Sequence, residues 1–335
     1  MARTVAEREP RRRLTWPDDA PRVGIHLGVG NGLMKAAHRA RQIGATALQI
    51  FSDNPTAWRR RPEPPKDAPQ FIDYTRREGI TPVAIHASYL INLAGGAEPF
   101  SSQSREGLVY EMRRAPEYGA TLVNTHIGSH RGDGHSTGLR RIAENVAAVL
   151  TETPPGVRLV LENSAGGGDN LGSTIEQLAE IAEATGRLEP VGVDQLAFCL
   201  DTAHLWGAGY DIATAEGVAG VLDRFAELVG LDRLALIHLN DSKSERGSRN
   251  DRHEHVGAGR IGPEGMAALL RDARLSAAGT TFILETPGVE AGYDAINVRR
   301  AWLLFSGAVE LPLLPPKAFR LNRGSTRVSP RLRAE

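Results

Sequence analysis

The sequence predicts an α/β fold and, within that class, a closed (β/α)8 or TIM barrel. Eight short runs rich in valine, isoleucine and leucine alternate along the chain with stretches of helical periodicity. Such alternation is typical of parallel strands joined by crossover helices, and eight units favour a closed barrel. The runs are apolar on successive residues, as expected for strands that are covered on both faces. An open, doubly wound sheet is the structural alternative.

The predicted elements follow one another in chain order. The strands are expected at residues 23–27, 48–52, 82–87, 122–128, 158–163, 196–202, 234–240 and 281–286. The helices are expected at residues 33–43, 139–150, 175–184, 218–229, 266–273 and 295–309, where apolar residues recur with helical spacing. Ser173 and Glu176 form a capping-box pattern before the third of these helices. Gly44 and Gly279 stand where helices should end.

Three segments are expected: a mobile N-terminal extension (1–21), a TIM-barrel catalytic domain (22–310), and a C-terminal extension (311–335) that is Pro-rich and then basic. A hydrophobic content of 41% with 24% charged residues excludes wholesale disorder. No apolar run approaches the roughly 18 residues of a membrane span, and no secretory signal is recognisable. The single cysteine, Cys199, suits a reducing compartment, so we expect a cytoplasmic protein.

The charges are unevenly distributed although the chain is neutral overall. Residues 317–335 carry a net charge of +5, whereas residues 22–316 carry −6. An acidic core is a poor surface for a polyanion unless bound cations change its sign locally. A bare core therefore argues against a nucleic-acid partner, and a metal-loaded core allows one.

Residues that can carry chemistry stand where the predicted strands end. They are His86, His126, Glu162, Asp201 with the nearby His204, His238 and Glu285. Because the carboxyl ends of the strands converge on one face of a barrel, we expect these side chains to meet. Carboxylates crowded into one cleft repel one another, and divalent cations remove that repulsion. A mixed set of His, Asp and Glu suits Zn²⁺ first, and then Mn²⁺ or Fe²⁺.

A further pair, Asp251 and His253, follows the seventh predicted strand. Residues two positions apart in an extended segment point to the same side, so both side chains can reach one ion. Together with His204 they make a three-ligand set that leaves room for water or phosphate. Taken singly, each of these residues is better explained as a solvated polar residue at which a strand ends. The unbroken series of them is what indicates a metal centre.

Several ungapped segments carry a family resemblance that runs in order from about residue 24 to about residue 305. They are HASYLINL at 86–93, NTHIGSH at 124–130, LENSAG at 161–166, LDTAH at 200–204, AGYD at 208–211, HLNDSK at 238–243, GSR at 247–249, DRH at 251–253 and LET at 284–286. In these segments the chain resembles endonuclease IV, the zinc-dependent apurinic/apyrimidinic endonucleases of AP endonuclease family 2.

The resemblance implies a barrel that cuts double-stranded DNA 5′ to abasic (AP) sites and leaves a 3′-hydroxyl and a 5′-deoxyribose phosphate. It also implies three Zn²⁺ per chain, with Mn²⁺ acceptable in place of some. By motif, one ion would be held by His86, His126 and Glu162, a second by Glu162, Asp201, His238 and Glu285, and a third by His204, Asp251 and His253. Glu162 and Glu285 are the catalytic carboxylates in this prediction. Three such ions would offset the −6 charge of the core, and a monomer is expected.

Four residues are the candidate DNA contacts: Tyr89, Lys243, Arg249 and Arg59. Each is about equally well explained as a solvated loop residue. Many relatives have an Arg where this chain has Thr56, so Arg59, Arg60 and Arg61 are expected to substitute for it. His26 is expected to lie behind the metal ligands, and Cys199 to be buried in a strand. The histidines expected at the surface are His38, His135 and His255.

Two other functions remain open on the sequence. A metal-dependent sugar isomerase or epimerase of the same barrel superfamily would also place Glu, Asp and His at strand ends. Such an enzyme uses one or two metals and has no evident need for Asp251 and His253. A non-catalytic DNA-binding module is the second alternative, and the acidic core with its dense ligand set argues against it. Abasic-site cleavage that depends on metal would separate all three.

Overall fold

The structure, a computed structural model, describes residues 14–190, 192–308 and 310–320. The strands are β1 (Arg22–His26), β2 (Ala47–Ile50), β3 (Val83–His86), β4 (Ala120–His126), β5 (Arg158–Glu162), β6 (Leu196–Asp201), β7 (Leu234–His238), β8 (Asp241–Ser242), β9 (His253–Glu254) and β10 (Thr281–Leu284). The short strands β8 and β9 pair with each other. The other eight close into a barrel in the order β1-β10-β7-β6-β5-β4-β3-β2, and all their pairings are parallel. The predicted TIM barrel is confirmed, and the open sheet is excluded.

Helices surround the barrel and connect its strands. They are α1 (Leu33–Ile43), α2 (Ala68–Arg77), α3 (Phe100–Arg114), α4 (His135–Leu150), α5 (Ile175–Leu188), α6 (Thr202–Ala208), α7 (Ala215–Leu228), α8 (Gly262–Arg271), α9 (Ala273–Ala278) and α10 (Tyr293–Phe305). The N-cap of α5 lies one residue later in the sequence than predicted. Thr174, not Ser173, accepts the backbone N–H of Gln177, whose side chain accepts the N–H of Ser173 in return. None of the described helices is long and apolar enough to cross a bilayer.

The register of the strands brings polar residues side by side at the carboxyl end of the barrel. His126 of β4 lies opposite Glu162 of β5, and Asp201 of β6 lies opposite His238 of β7. Because alternate residues of a strand face the same side, the residue types at these last positions decide what lines the barrel mouth. The fold itself therefore assembles a polar site from separate strands.

Apolar side chains fill the barrel interior beneath that mouth. This inner layer consists mainly of small residues: Ala47, Ala84, Leu122, Val160, Ala197, Cys199, Ala235, Leu236 and Ile283. A larger apolar layer lies between the strands and the helices. The barrel is thus a packed support for the site and not a pore. Cys199 belongs to the inner layer and is fully buried, as the sequence predicted.

The described part of the N-terminal extension, residues 14–21, makes contacts with α1 and α10, and its expected mobility stays a prediction. The Trp16 indole N–H donates to the carbonyl of Gly44 at the end of α1, and its ring contacts Phe305. The Trp302 indole donates to the carbonyl of Thr15. Burial of a tryptophan ring is favourable when its N–H has a hydrogen-bond acceptor. The composition of the segment did not predict these contacts. Residues 1–13 lie outside the described part of the chain.

The described start of the C-terminal extension is packed as well. Arg300 donates to the carbonyls of Val256 and Pro312, so this segment is tied to α10. Ala318 is buried, and its carbonyl lies 3.3 Å from Nε2 of His255. The prediction of a surface position for His255 was therefore wrong, since the C-terminal segment covers its ring. His38 and His135 are exposed, as predicted, and residues 321–335 lie outside the described range.

Candidate metal centre

The nine predicted metal ligands lie together at the carboxyl end of the barrel. Five of them are the last residues of strands β3 to β7, namely His86, His126, Glu162, Asp201 and His238. Glu285 follows β10 directly, His204 lies in the first turn of α6, and His253 begins β9 with Asp251 just before it. The prediction that these side chains meet is therefore correct, although their roles as ligands stay predictions.

Glu162 lies between two groups of potential ligand atoms. Its Oε2 is 3.5 Å from Nε2 of His86 and 3.6 Å from Nε2 of His126. Its Oε1 is 3.4 Å from Nδ1 of His238, which lies 3.4 Å from Oε2 of Glu285. Asp201 approaches the same nitrogen at 3.9 Å. One carboxylate can therefore serve two neighbouring ions, as the family resemblance implies for this residue.

A third group lies on the other side of Asp201. The two oxygens of Asp251 are each 3.0 Å from a histidine nitrogen, Nε2 of His204 and Nε2 of His253. Asp201 also joins this group, with its Oδ2 3.5 Å from Nε2 of His253. The motif assigned only Asp251, His204 and His253 to this position. The structure places Asp201 between the second and third groups.

The distances in the first two groups fit shared divalent ions. An N–H···O hydrogen bond measures about 2.7–3.2 Å. Two atoms bound tetrahedrally to one Zn²⁺ at about 2.0–2.2 Å lie about 3.3–3.5 Å apart. Nδ1 of His238 is buried without a hydrogen-bond partner among the described residues, although two carboxylates lie 3.4 Å away. A nitrogen in that position is suited to bind a cation, so the residues present fit metal ions.

Backbone carbonyls orient three of the histidines for binding a metal ion. Nδ1 of His86 lies 2.8 Å from the carbonyl of Ala87, and Nδ1 of His204 lies 2.8 Å from that of Asn163. Nδ1 of His253 lies 3.1 Å from the carbonyl of Glu285. A carbonyl accepts only an N–H, so each ring carries its proton on Nδ1 and directs the Nε2 lone pair into the site.

Three buried amides hold the carboxylates, and the sequence reasoning did not single them out. Asn124 donates to Oε2 of Glu162 at 2.6 Å. Asn240 donates to Oδ2 of Asp201 at 2.7 Å, and Gln49 donates to Oε1 of Glu285 at 2.8 Å. The sequence could have predicted two of these amides. Asn124 and Asn240 each stand two residues from a candidate ligand histidine, and residues at that spacing in an extended segment face the same side.

Burial lowers the pKa of His238 and His86, but neighbouring acidic groups, Glu285 and Glu162 among them, outweigh it, so that the pKa of His238 lies well above and that of His86 above the usual value. Burial disfavours the charged form of Glu162, but the charge of His238 and the hydrogen bonds from His238 and His86 outweigh it and hold the pKa of Glu162 well below the usual range. Burial lowers the pKa of His126 to about 4, so this ring stays neutral and able to bind a metal. Burial also raises the pKa of Cys199 to about 12, so the nearby thiol stays protonated and is a poor ligand. Ionised carboxylates in a buried site are stabilised by nearby positive charge, which protonated histidines or bound cations can supply.

A cleft of about 1120 Å³ opens above these residues. Its walls include the loop after β1, the loop after β2 and the loop after β10. His26 lines it and lies 3.1 Å from Oε1 of Glu285, behind the ligands as predicted. Tyr89 also lines it, with half of its surface exposed and its ring stacked 6.0 Å from that of His126. The site is therefore open to a large substrate.

The remaining candidate DNA contacts lie in loops at the same end of the barrel. Arg249 is exposed and has a φ of 58°, and its N–H donates to the carbonyl of Gly207. Lys243 is half-buried, and its N–H donates to the carbonyl of Arg252. Thr56 is exposed, and its hydroxyl donates to Oδ1 of Asn54. These positions are compatible with DNA contacts, which stay predictions.

Arg59, Arg60 and Arg61 lie in different surroundings, and their role as substitutes for the missing arginine stays a prediction. Arg60 is mostly buried, lies 3.5 Å from Glu111 and covers the ring of Tyr110. Arg61 pairs with Asp53 at 3.2 Å. Arg60 therefore braces its own loop, whereas the Arg61 side chain is 39% exposed and lines the cleft, and Arg59 is exposed.

Comparison with known proteins places this barrel in a family. A family model described as a xylose isomerase-like TIM barrel matches residues 37–303. A probable endonuclease 4 of Chloroflexus aurantiacus is 37% identical over 290 residues, which cover 86% of this chain and 99% of that protein. The crystal structure of endonuclease IV from Thermus thermophilus has a TM-score of 0.71 at 37% identity and covers 84% of this chain and 99% of that one.

Sugar epimerases share the architecture at much lower identity. The structure of an L-ribulose 3-epimerase matches with a TM-score of 0.61 at 17% identity, which shows a common fold alone. The endonuclease matches, in contrast, extend over nearly the whole length of those proteins at more than a third identity. Together with the ligand geometry, this similarity shows that the chain belongs to the endonuclease IV family.

Proposed function

We propose that this protein is a zinc-dependent DNA-repair endonuclease that hydrolyses the phosphodiester 5′ to abasic sites in double-stranded DNA. The products would be a 3′-hydroxyl and a 5′-deoxyribose phosphate. The observation that carries the proposal is the third ligand group, in which both oxygens of Asp251 face His204 and His253 at 3.0 Å. A sugar isomerase with one or two metals has no evident use for it. The buried Cys199 is compatible with action in the cytoplasm, and a monomer is part of the proposal.

Each group would hold one ion in this proposal. His86, His126 and Glu162 would hold the first. Asp201, His238 and Glu285 would hold the second together with Glu162, and Asp251, His204 and His253 the third. When bound, the ions supply an acidified water and neutralise charge on the scissile phosphate and the leaving oxygen.

The chain's own residues would orient the reaction. Glu162 and Glu285 are the proposed catalytic carboxylates, and Asn124 and Gln49 fix them by donating amide hydrogens. Tyr89, held against His126 and Phe51, would form an aromatic wall beside the abasic sugar. A duplex backbone would reach the ligand groups through the cleft of about 1120 Å³ that opens above them. No covalent protein nucleophile is needed.

We expect about three tightly held zinc ions per chain, because the predicted ligands, which do not include Cys199, form three groups. Elemental analysis of protein purified without added metal measures the ratio. A chelator should remove the ions and abolish cleavage, and added Zn²⁺ or Mn²⁺ should restore it. A reproducible ratio of one or zero in folded, active protein would contradict the three-ion assignment.

Cleavage of a synthetic duplex with one abasic site is the experiment that tests the function. We expect a cut 5′ to the site, a 3′-hydroxyl end that a polymerase can extend, and no cut in the matched intact duplex. Interconversion of a ketose with its epimer or aldose, without cleavage, would instead favour the isomerase. Binding of DNA that survives metal removal without turnover would favour a non-catalytic module.

Replacing Arg59 by Ala should weaken binding of abasic DNA more than binding of intact duplex. Exposing a lesion outside the helix costs a few kcal/mol, and a side chain that fills the vacated space offsets that cost. Arg59 is exposed beside Thr56, where many relatives have an Arg. Exposed Arg187 on α5 is the matched control, and its replacement by Ala should change neither affinity. Equal weakening of both DNAs by Arg59→Ala would reduce Arg59 to a general phosphate contact.

Deleting residues 321–335 should raise KM, leave kcat nearly unchanged and flatten the salt dependence of DNA binding. The deleted segment contains four arginines and one acid. The cut keeps residues 317–320, because Ala318 is buried against the barrel. Every arginine–phosphate pair that the deletion removes should lower the slope of log K against log salt by about 1. An unchanged slope would show that this extension does not bind DNA.

A further inference from the structure

Gln49 is a fully buried amide at the base of the ligand cluster, and it contacts residues from three other strands. Its Oε1 lies 3.1 Å from Nε2 of His238. Its Nε2 lies 2.8 Å from Oε1 of Glu285 and 3.0 Å from Nδ1 of His26. Both Glu285 and His238 belong to the second ligand group. One amide thus contacts two ligands of the same proposed ion.

The chemistry of the amide determines which way it points. A carboxylate only accepts hydrogen bonds, so the NH₂ group of Gln49 must face Glu285. The amide oxygen then faces His238, and this ring must carry its proton on Nε2. In the neutral ring that a metal ion binds, the lone pair of His238 is then on Nδ1, the buried nitrogen that has no hydrogen-bond partner among the described residues and lies 3.4 Å from Oε2 of Glu285.

Three other histidines of the cluster have the opposite arrangement. His86, His204 and His253 place Nδ1 against a backbone carbonyl and present Nε2 to the site. Within the described part of the chain, His238 has a side-chain acceptor on Nε2 instead, and Gln49 provides it. Without that acceptor, nothing in these contacts prevents the proton of His238 from moving to Nδ1, where it would block a metal.

We propose that Gln49 is a positioning residue that selects Nδ1 of His238 and Oε2 of Glu285 as the atoms that bind the second ion. The proposal rests on the proposed function, since it concerns one of the three ion sites. The contacts of Glu285 agree with the proposal, because Gln49 and His26 both contact its Oε1 and leave Oε2 for the ion. Gln49 therefore acts through both ligands and does not itself touch the ion.

A purely structural role explains Gln49 less well. It shares the inward face of β2 with Ala47, and the inner layer around it is apolar, so an amide there is costly unless it is hydrogen-bonded. Packing alone would favour an aliphatic side chain at this position. Its partners are one ligand carboxylate, one ligand histidine and the histidine that contacts that carboxylate.

The test replaces Gln49 by Met, which keeps length and volume but can make neither hydrogen bond. We expect zinc-loaded Gln49→Met to release one of about three ions 10- to 100-fold more readily to a chromophoric chelator, because loss of a partner behind a ligand costs about that much in affinity. The other two ions should be held as in the wild type. Gln195→Met is the matched control, since its amide bonds the carbonyls of Pro154 and Val157 at the opposite end of β6.

A second measurement is made on the wild type and therefore does not depend on how Gln49→Met folds. In the zinc-loaded wild type, ¹⁵N NMR of labelled histidines should show His238 protonated on Nε2 and metal-bound through Nδ1, assigned from the signals that disappear in His238→Asn. The opposite tautomer would overturn the proposal, as would Gln49→Met that holds all its ions like the wild type, or that loses the three equally. A wild type that binds no ions would instead refute the proposed function.

Discussion

Replacing Glu162 by Gln is expected to lower the rate of abasic-site cleavage by more than about 10³-fold while the barrel stays folded. Loss of one hydrogen bond to a transition state costs about 10²–10³-fold, and Glu162 has more than one role. Its two oxygens face different ligand groups at 3.4–3.6 Å. An amide removes the negative charge that both groups share, so the position of the nucleophile itself is disturbed.

The control for this variant is the same substitution at another buried glutamate. Burial raises the pKa of Glu111 to about 7, so a neutral side chain is already tolerated there. Glu111→Gln should keep kcat within a few-fold, and circular dichroism should show both variants folded. Cleavage by Glu162→Gln close to the wild-type rate, at equal metal content, would exclude a bridging role for Glu162.

The double replacement of Asp251 and His253 by Ala should cost orders of magnitude in kcat and much less in DNA affinity. These residues and His204 form the third ligand group, with Asp251 3.0 Å from both histidines. In the proposed reaction this group faces the phosphate and the leaving oxygen. Charge builds on that oxygen only in the transition state, so losing the group raises the barrier more than it weakens binding.

Arg252, between the two residues, offers a matched control. Its side chain is exposed, and its backbone carbonyl, which the substitution keeps, accepts the N–H of Lys243. Arg252→Ala should leave kcat unchanged, and single-turnover cleavage measures the chemical step for all three proteins. If the double variant cleaves at the rate of the wild type, the third group is dispensable for cleavage.

The sequence by itself was sufficient to predict the barrel and the ligand types. Closure of eight βα units follows from the alternation of apolar runs with helical stretches, without knowledge of which side chains touch. The convergence of the candidate ligands was predictable because parallel strands end on one face, so residues such as His126 and Glu162 had to meet there. The prediction needed only the position of each residue within its own strand.

Only the tertiary structure decided which side chains become partners. Gln49 meets His238 across 189 positions, Ala318 covers His255, and Glu111 and Asp53 pair with Arg60 and Arg61. Sequence periodicity reports which side of its own element a residue faces. The identity of a partner across the barrel depends on strand order and register, which closure of the sheet sets, and on chain segments that pack over it from far away in the sequence.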